Sequence, residues 1–150
     1  MEWHLSYSLA FSQSLYIVVF VASKVEQKKY EFISTQLIAD KLNIPPSTSS
    51  VILRRLKKAG LIEAREGVNG GVRLAKLPEQ ITVLDIFNAV EQSGGMFQTN
   101  VNFANSGQEI DEKSARVQRT ILDVLDHAEN QMKQSLQGVT IKDVMKGIKG

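Results

Sequence analysis

Residues 46–59 interleave hydroxyls, cations and aliphatic side chains. Ser47, Thr48 and Ser50 come first, then Arg54, Arg55, Lys57 and Lys58, around Val51, Ile52, Leu53 and Leu56. Small hydroxyls hydrogen-bond at close range, and guanidinium groups grip phosphate oxygens with two parallel bonds. A helix that opens on hydroxyls and continues with arginines can meet base edges at one end and phosphates along its flank. The same residues have a plainer reading. The hydroxyls would cap the helix start, and the cations would complement its C-terminal dipole. Lys57 and Lys58 fit that reading well, whereas Arg54 and Arg55 sit mid-helix, where it is weaker.

A second set follows at once. Leu61–Arg65 and Val72–Leu74 are short alternating runs around Glu66-Gly67-Val68-Asn69-Gly70-Gly71. That pattern predicts a β-hairpin. Arg65, Asn69, Gly70 and Arg73 gather at its tip, and an arginine on such a tip can enter a narrow minor groove. Ser47, Thr48, Ser50, Val51, Arg54, Arg55 and Lys58, with Ser34 at the preceding helix start, complete the candidate surface.

These side chains need positioning elements, and the sequence supplies them in order. A first helix is predicted over about Ser6–Glu26, with Leu5, Leu9, Leu15, Val18, Ala22 and Val25 as its apolar stripe. Ser34 caps a second helix, with Ile33 and Ile38 as a hydrophobic staple and Asn43 as its stop. Pro45 and Pro46 open the third helix, and Gly60 ends it near Ala59. Thr82 with Asp85 forms a capping box, stapled by Ile81 and Ile86, for a helix to about Gln92. Residues 93–105 are predicted to be a loop. Ser106 with Glu109 predicts the start of a long helix to Gln137. Its seam is Ile110, Ser114, Val117, Ile121, Val124 and Ala128, in steps of four and three. Leu122, Leu125, Met132 and Leu136 form a second stripe. Thr140 and Asp143, with Val139 and Val144, open a short last helix.

Composition narrows the chemistry. The chain of 150 residues has no cysteine, so disulfides, thiolate metal sites and a cysteine nucleophile are excluded. Its two histidines, His4 and His127, lie in different elements. Glu91 has no neighbouring nucleophile or paired carboxylate, and Gly94-Gly95 lacks the lysine and spacing of a phosphate loop. No catalytic residue, metal ligand or cofactor is expected. The longest apolar run, Leu15–Ala22, has eight residues, against the roughly 20 of a spanning helix. It is preceded by Glu2 and by no lysine or arginine, so it reads as a buried segment of a cytoplasmic protein without membrane contact. The net charge is only +2, but residues 45–76 hold seven basic and two acidic side chains. A local basic patch on a near-neutral chain suits a module with one polyanion-facing surface.

Helix, turn, helix, then hairpin is the order of a winged helix-turn-helix domain. Several stretches carry a closer likeness: Ile38-Ala39, Leu42 and Ile44; Leu53-Arg54-Arg55-Leu56-Lys57-Lys58-Ala59-Gly60-Leu61; Gly70-Gly71-Val72-Arg73-Leu74-Ala75; and Ile81-Thr82-Val83-Leu84-Asp85-Ile86 with Ala89-Val90-Glu91. In these the chain resembles the Rrf-two family of bacterial winged-helix regulators, densely over about residues 34–92 and loosely beyond. The resemblance implies a homodimer on a roughly palindromic operator. It places Ser47, Thr48 and Val51 nearest the bases and the wing in the minor groove. Two departures stand out. Family members usually carry an arginine just before the first wing glycine, where this chain has Glu66, with Arg65 one position earlier. Those that sense redox or nitric oxide hold an iron–sulfur cluster on cysteines before the long helix, and here there are none.

The expected fold is mainly α with a small β-hairpin wing: a winged helix-turn-helix domain plus a long dimerisation helix. The expected division is 1–92 for the DNA-binding domain, its first helix shared with the dimer core, a loop at 93–105, and 106–150 for the long and last helices. The expected function is that of a sequence-specific transcriptional regulator, a repressor without a cluster, associated with the nucleoid when bound. Its partners would be double-stranded DNA and a second copy, through Ile110, Val117, Ile121, Val124, Leu125 and Ala128, with an unidentified small-molecule or protein effector. The rival reading is a winged-helix protein-interaction or scaffold module with no operator of its own.

Overall fold

The computed structural model describes residues 7–28, 30–91 and 111–149. The elements run α1 (Tyr7–Glu26), α2 (Thr35–Leu42), α3 (Pro46–Lys58), β1 (Ile62–Arg65), β2 (Gly71–Leu74), a short 3-10 turn (Pro78–Gln80), α4 (Val83–Val90), α5 (Glu112–Gln137) and α6 (Ile141–Lys149). This is the expected winged helix-turn-helix order. The predicted loop at 93–105, the Ser106–Glu109 box and Ile110 lie outside the described residues.

Local chemistry sets most boundaries. Ser34 Oγ accepts from the Leu37 amide at 3.1 Å and starts α2. Asn43, with φ 52°, ends it in the left-handed conformation. Ile33 and Ile38, the staple pair, are both fully buried. α3 begins after Pro45, which offers no side-chain cap, with Pro46 in its first turn. The hydroxyls of Ser47, Thr48 and Ser50 therefore do not hold the cap position, and the plainer reading of them fails.

Two capping boxes meet back to back. At α4, the Asp85 amide donates to Thr82 Oγ1 at 3.0 Å, and the Thr82 amide to Asp85 Oδ2 at 2.9 Å. At α6, the Asp143 amide donates to Thr140 Oγ1 at 3.1 Å, and the Thr140 amide to Asp143 Oδ2 at 2.9 Å. Val83 then donates to the Val139 carbonyl, and Ile141 to the Ile81 carbonyl, both at 2.8 Å. The last helix is thereby stitched to the start of α4, and its Ile141 and Met145 enter the central core. The bond from the Thr140 amide holds the Asp143 carboxyl below its ordinary value. Thr82→Ala is expected to cost about 1 kcal/mol, the usual loss for a cap, as read by thermal or denaturant unfolding.

The core gathers α1, α2, α3, α4, α6 and the inner wing face: Ile17, Val18 and Val21 with Ile38, Ile52, Leu56, Val72, Ile81 and Ile86. Phe11 and Phe87 meet edge to face at 5.3 Å between ring centres, joining α1 to α4. The predicted stripe of α1 is shifted in phase. Ala10, Ser14, Ile17, Val18, Val21 and Ala22 are buried, while Leu9 and Val25 are exposed. The helix is apolar nearly all round, so periodicity alone does not fix its inner face. Over Leu9–Glu26 it is long and apolar enough to cross a membrane by composition, with a mean hydropathy of 1.3. A third of that window is buried, and the buried part packs among Ile38, Ile52 and Leu56.

α5 is different. The described helix starts at Glu112, capped by Asp111, whose side chain accepts from the Ser114 amide at 2.6 Å. That bond holds the Asp111 carboxyl below its ordinary value. The helix spans 26 residues and buries none of them, over a length of about 39 Å. It packs against α4, with Leu122, Leu125, Met132 and Leu136 half-buried. Val117, Ile121 and Val124 of the predicted seam are 53–62% exposed, and Ala128 is exposed with them.

Candidate nucleic-acid interface

The four buried residues of α3, Ser49, Ile52, Leu53 and Leu56, fix its inward face. Helical geometry then turns Ser47, Ser50, Arg54 and Lys58 outward, three and four residues apart. All four are exposed, as is Lys57, while Thr48 and Val51 are half-buried on the flank. One row therefore carries hydroxyls in its first turns and cations in its later ones. Arg55 departs from the expectation. It is half-buried, and its Nη1 donates to the Val90 carbonyl at 3.1 Å. That bond ties α3 to the end of α4, so this guanidinium already has a structural task.

The wing is paired in regular register, with Glu63 opposite Arg73 and Arg65 opposite Gly71. Arg65 and Arg73 consequently share the outer face, with no bulge between them. A third segment joins this sheet. Ile33 and Val72 exchange both backbone hydrogen bonds, at 2.9 and 2.8 Å. This close approach requires glycine at the neighbouring Gly71, whose φ is +144° and whose Cβ would stand 2.1 Å from the Ile33 carbonyl oxygen.

The joined segment brings two side chains that the sequence reading missed. Phe32 lies beneath both wing arginines, 4.1 Å from Arg65 and 4.5 Å from Arg73. Glu31 pairs with Arg65 at 3.7 Å and with Arg73 at 3.3 Å. Arg73 also pairs with Glu63 through Nε, and Arg65 donates to the Asn69 carbonyl at 2.8 Å. The wing tip and the start of α2 enclose a groove of about 510 Å³, lined in part by Ser34, Leu37, Arg65, Asn69 and Gly70. The structure thus brings Ser34 together with Arg65, Asn69 and Gly70. It sets the α3 row apart as a separate open face and turns Arg73 toward its carboxylates.

Residues 7–147 match the Rrf2 family, described as an iron-dependent transcriptional regulator. The chain belongs to the Rrf2 family. This Rrf2 protein is 30% identical over 138 residues to a protein of Lactococcus lactis subsp. lactis (strain IL1403) named as an HTH-type transcriptional regulator, YffB. The match covers 91% of this chain and 85% of that one. It is 36% identical over 66 residues to a chain of Bacillus subtilis (strain 168) named as the HTH-type regulator YwgB, covering 44% and 42% of the two. Among solved structures, the T. potens IscR fold superposes with a TM-score of 0.65 at 19% identity, over 99% of this chain and 88% of that one. CymR of B. subtilis, titled the global cysteine regulator, superposes at 0.57 and 21%, over 91% and 93%. This Rrf2 protein is a DNA-binding transcriptional regulator.

The family description raises iron, and the donor set decides whether this member fits it. No thiolate exists anywhere in the chain. Among the described residues, no group of three histidine or acidic side chains could hold a metal ion. The residues of this Rrf2 protein do not fit an iron–sulfur cluster, which needs about four thiolate or imidazole ligands.

Proposed function

We propose that this regulator binds a roughly palindromic operator as a homodimer and represses transcription by occupying promoter DNA. The observation that carries the reading is the open row Ser47, Ser50, Arg54 and Lys58 on α3. Its first turns would meet base edges in the major groove, with Thr48 and Val51 alongside, while Arg54 and Lys58 reach phosphates. The groove between Ser34 and the wing tip would receive the neighbouring backbone through Arg65, Asn69 and Gly70. Residues 1–92 form the DNA-binding unit, with α6 packed into its core rather than grouped with the arm as expected, and α5 is the dimerisation arm. Two copies joined through that arm would set the α3 helices about one helical turn of DNA apart. Such a protein works where the chromosome is, in the bacterial cytoplasm. Its activity would be modulated by a small molecule or protein, without a cluster.

Arg54→Ala tests the assignment of α3. Binding to every duplex should weaken, and the slope of log affinity against log salt should flatten by about 0.9 per phosphate contact and protomer. Arg55→Ala should mainly lower the melting temperature, because it releases the Val90 carbonyl. Unchanged affinity and slope for Arg54→Ala, by fluorescence anisotropy, would place the phosphate contacts elsewhere.

A further inference from the structure

The wing carries two cations, yet it is not a cationic surface. Arg65 and Arg73 both stack on the Phe32 ring. Glu31 lies against both. Glu63 holds Arg73 as well, and Glu66 follows Arg65 at the turn. Two carboxylates, Glu31 and Glu63, therefore face the two guanidinium groups. Glu63 touches one of them, whereas Glu31 reaches both from outside the hairpin, on the segment that leads into α2. Its side chain is 65% exposed, so it supports no core packing.

We propose that Glu31 sets the DNA affinity of this regulator by competing with phosphate for Arg65 and Arg73. The proposal rests on the reading of the wing as a DNA contact. A free arginine that meets a phosphate releases the salt ions condensed on DNA, and that release drives binding. An arginine already paired with a carboxylate must first give up that partner, and the displaced carboxylate is then left facing the phosphate. The two arginines are thus held stacked and oriented, but their charge is withheld. Glu31 is a positioning residue in this sense: it acts through the arginines and needs no contact with DNA.

Glu31→Gln keeps the size of the side chain and removes its charge. Affinity for a plain duplex of about three helical turns should rise at least roughly threefold in low salt, and the salt slope should steepen by about 0.9 for each arginine that gains a phosphate. In a background of Arg65→Gln with Arg73→Gln, the same substitution should give no gain, because the route through the arginines is gone. An unchanged or weaker affinity for Glu31→Gln overturns the proposal, and so does an equal gain in the arginine-free background, which would mean direct repulsion between Glu31 and DNA. If Arg54→Ala weakens binding while Glu31→Gln changes nothing, the proposal fails and the DNA-binding reading stands. A wild-type protein with no affinity for the duplex at low salt removes both.

Discussion

Ile121→Glu is expected to give a monomer or an aggregating protein, with DNA affinity reduced by about a hundredfold or more. The size of the effect follows from the position of the seam. Val117, Ile121 and Val124 are more than half exposed in the single protomer, and α5 buries no residue along its 26. Contiguous apolar surface of this kind is what monomers avoid and two-fold interfaces cover. An unpaired carboxylate in a covered seam costs several kcal/mol, of the order of 3–5. The symmetry places the penalty twice in each dimer. Each half-site would then be bound alone, and the gain from linking two sites, about 10²–10⁴, would be lost. Val124→Glu should behave in the same way. Sedimentation of wild type and variant at micromolar concentration decides the matter. A monomeric wild type, or a dimeric variant with normal DNA binding, would put the interface on another element.

Gly71→Ala carries the second large effect. A methyl group there would stand 2.1 Å from the Ile33 carbonyl oxygen and 2.7 Å from the Ser34 amide, both backbone atoms. It would also hold an L side chain at a φ of +144°. Either the segment before α2 moves off the wing, or the wing moves off the core. Strain and overpacking each cost about 1–3 kcal/mol, so a loss of about 3 kcal/mol, or roughly ten degrees in Tm, is expected. DNA affinity should fall with it, because Ser34 and the wing tip would no longer share one groove. Gly60→Ala is the contrast. Its φ is +76°, but nothing lies within 4 Å of the added carbon, so only the smaller conformational cost of about 1–2 kcal/mol applies. A Gly71→Ala protein that melts within a degree or two of wild type would contradict the packing described for Ile33 and Val72.

What the sequence revealed and what it hid divide along the range of the interactions. Ser34, Asn43, Thr82 with Asp85 and Thr140 with Asp143 act within four residues, so each cap was legible as a local pattern. The hydroxyl and cation row of α3 was legible too, because Ile52, Leu53 and Leu56 fix which face turns inward. The bond from Arg55 was not legible, since its partner is the carbonyl of Val90, 35 residues away. Leu9 and Val25 misled for another reason: α1 offers apolar side chains on several faces, and only contact with α2, α3, α4, α6 and β2 selects one. Glu31 and Phe32 gave no signal of their own. Two residues before a helix cap have no periodicity, and their role appears only when the Ile33 bridge lays them along β2.

The central claim is that two copies of this regulator present their α3 rows to two inverted half-sites. Selection of duplexes from a random pool by the wild-type protein, followed by sequencing, tests it most directly. The account predicts enrichment of one inverted repeat whose half-sites lie about one helical turn apart, with the preferred bases changing when Thr48 or Ser47 is replaced. Recovery of no common sequence, or of a single half-site with the same preference after those replacements, would contradict it.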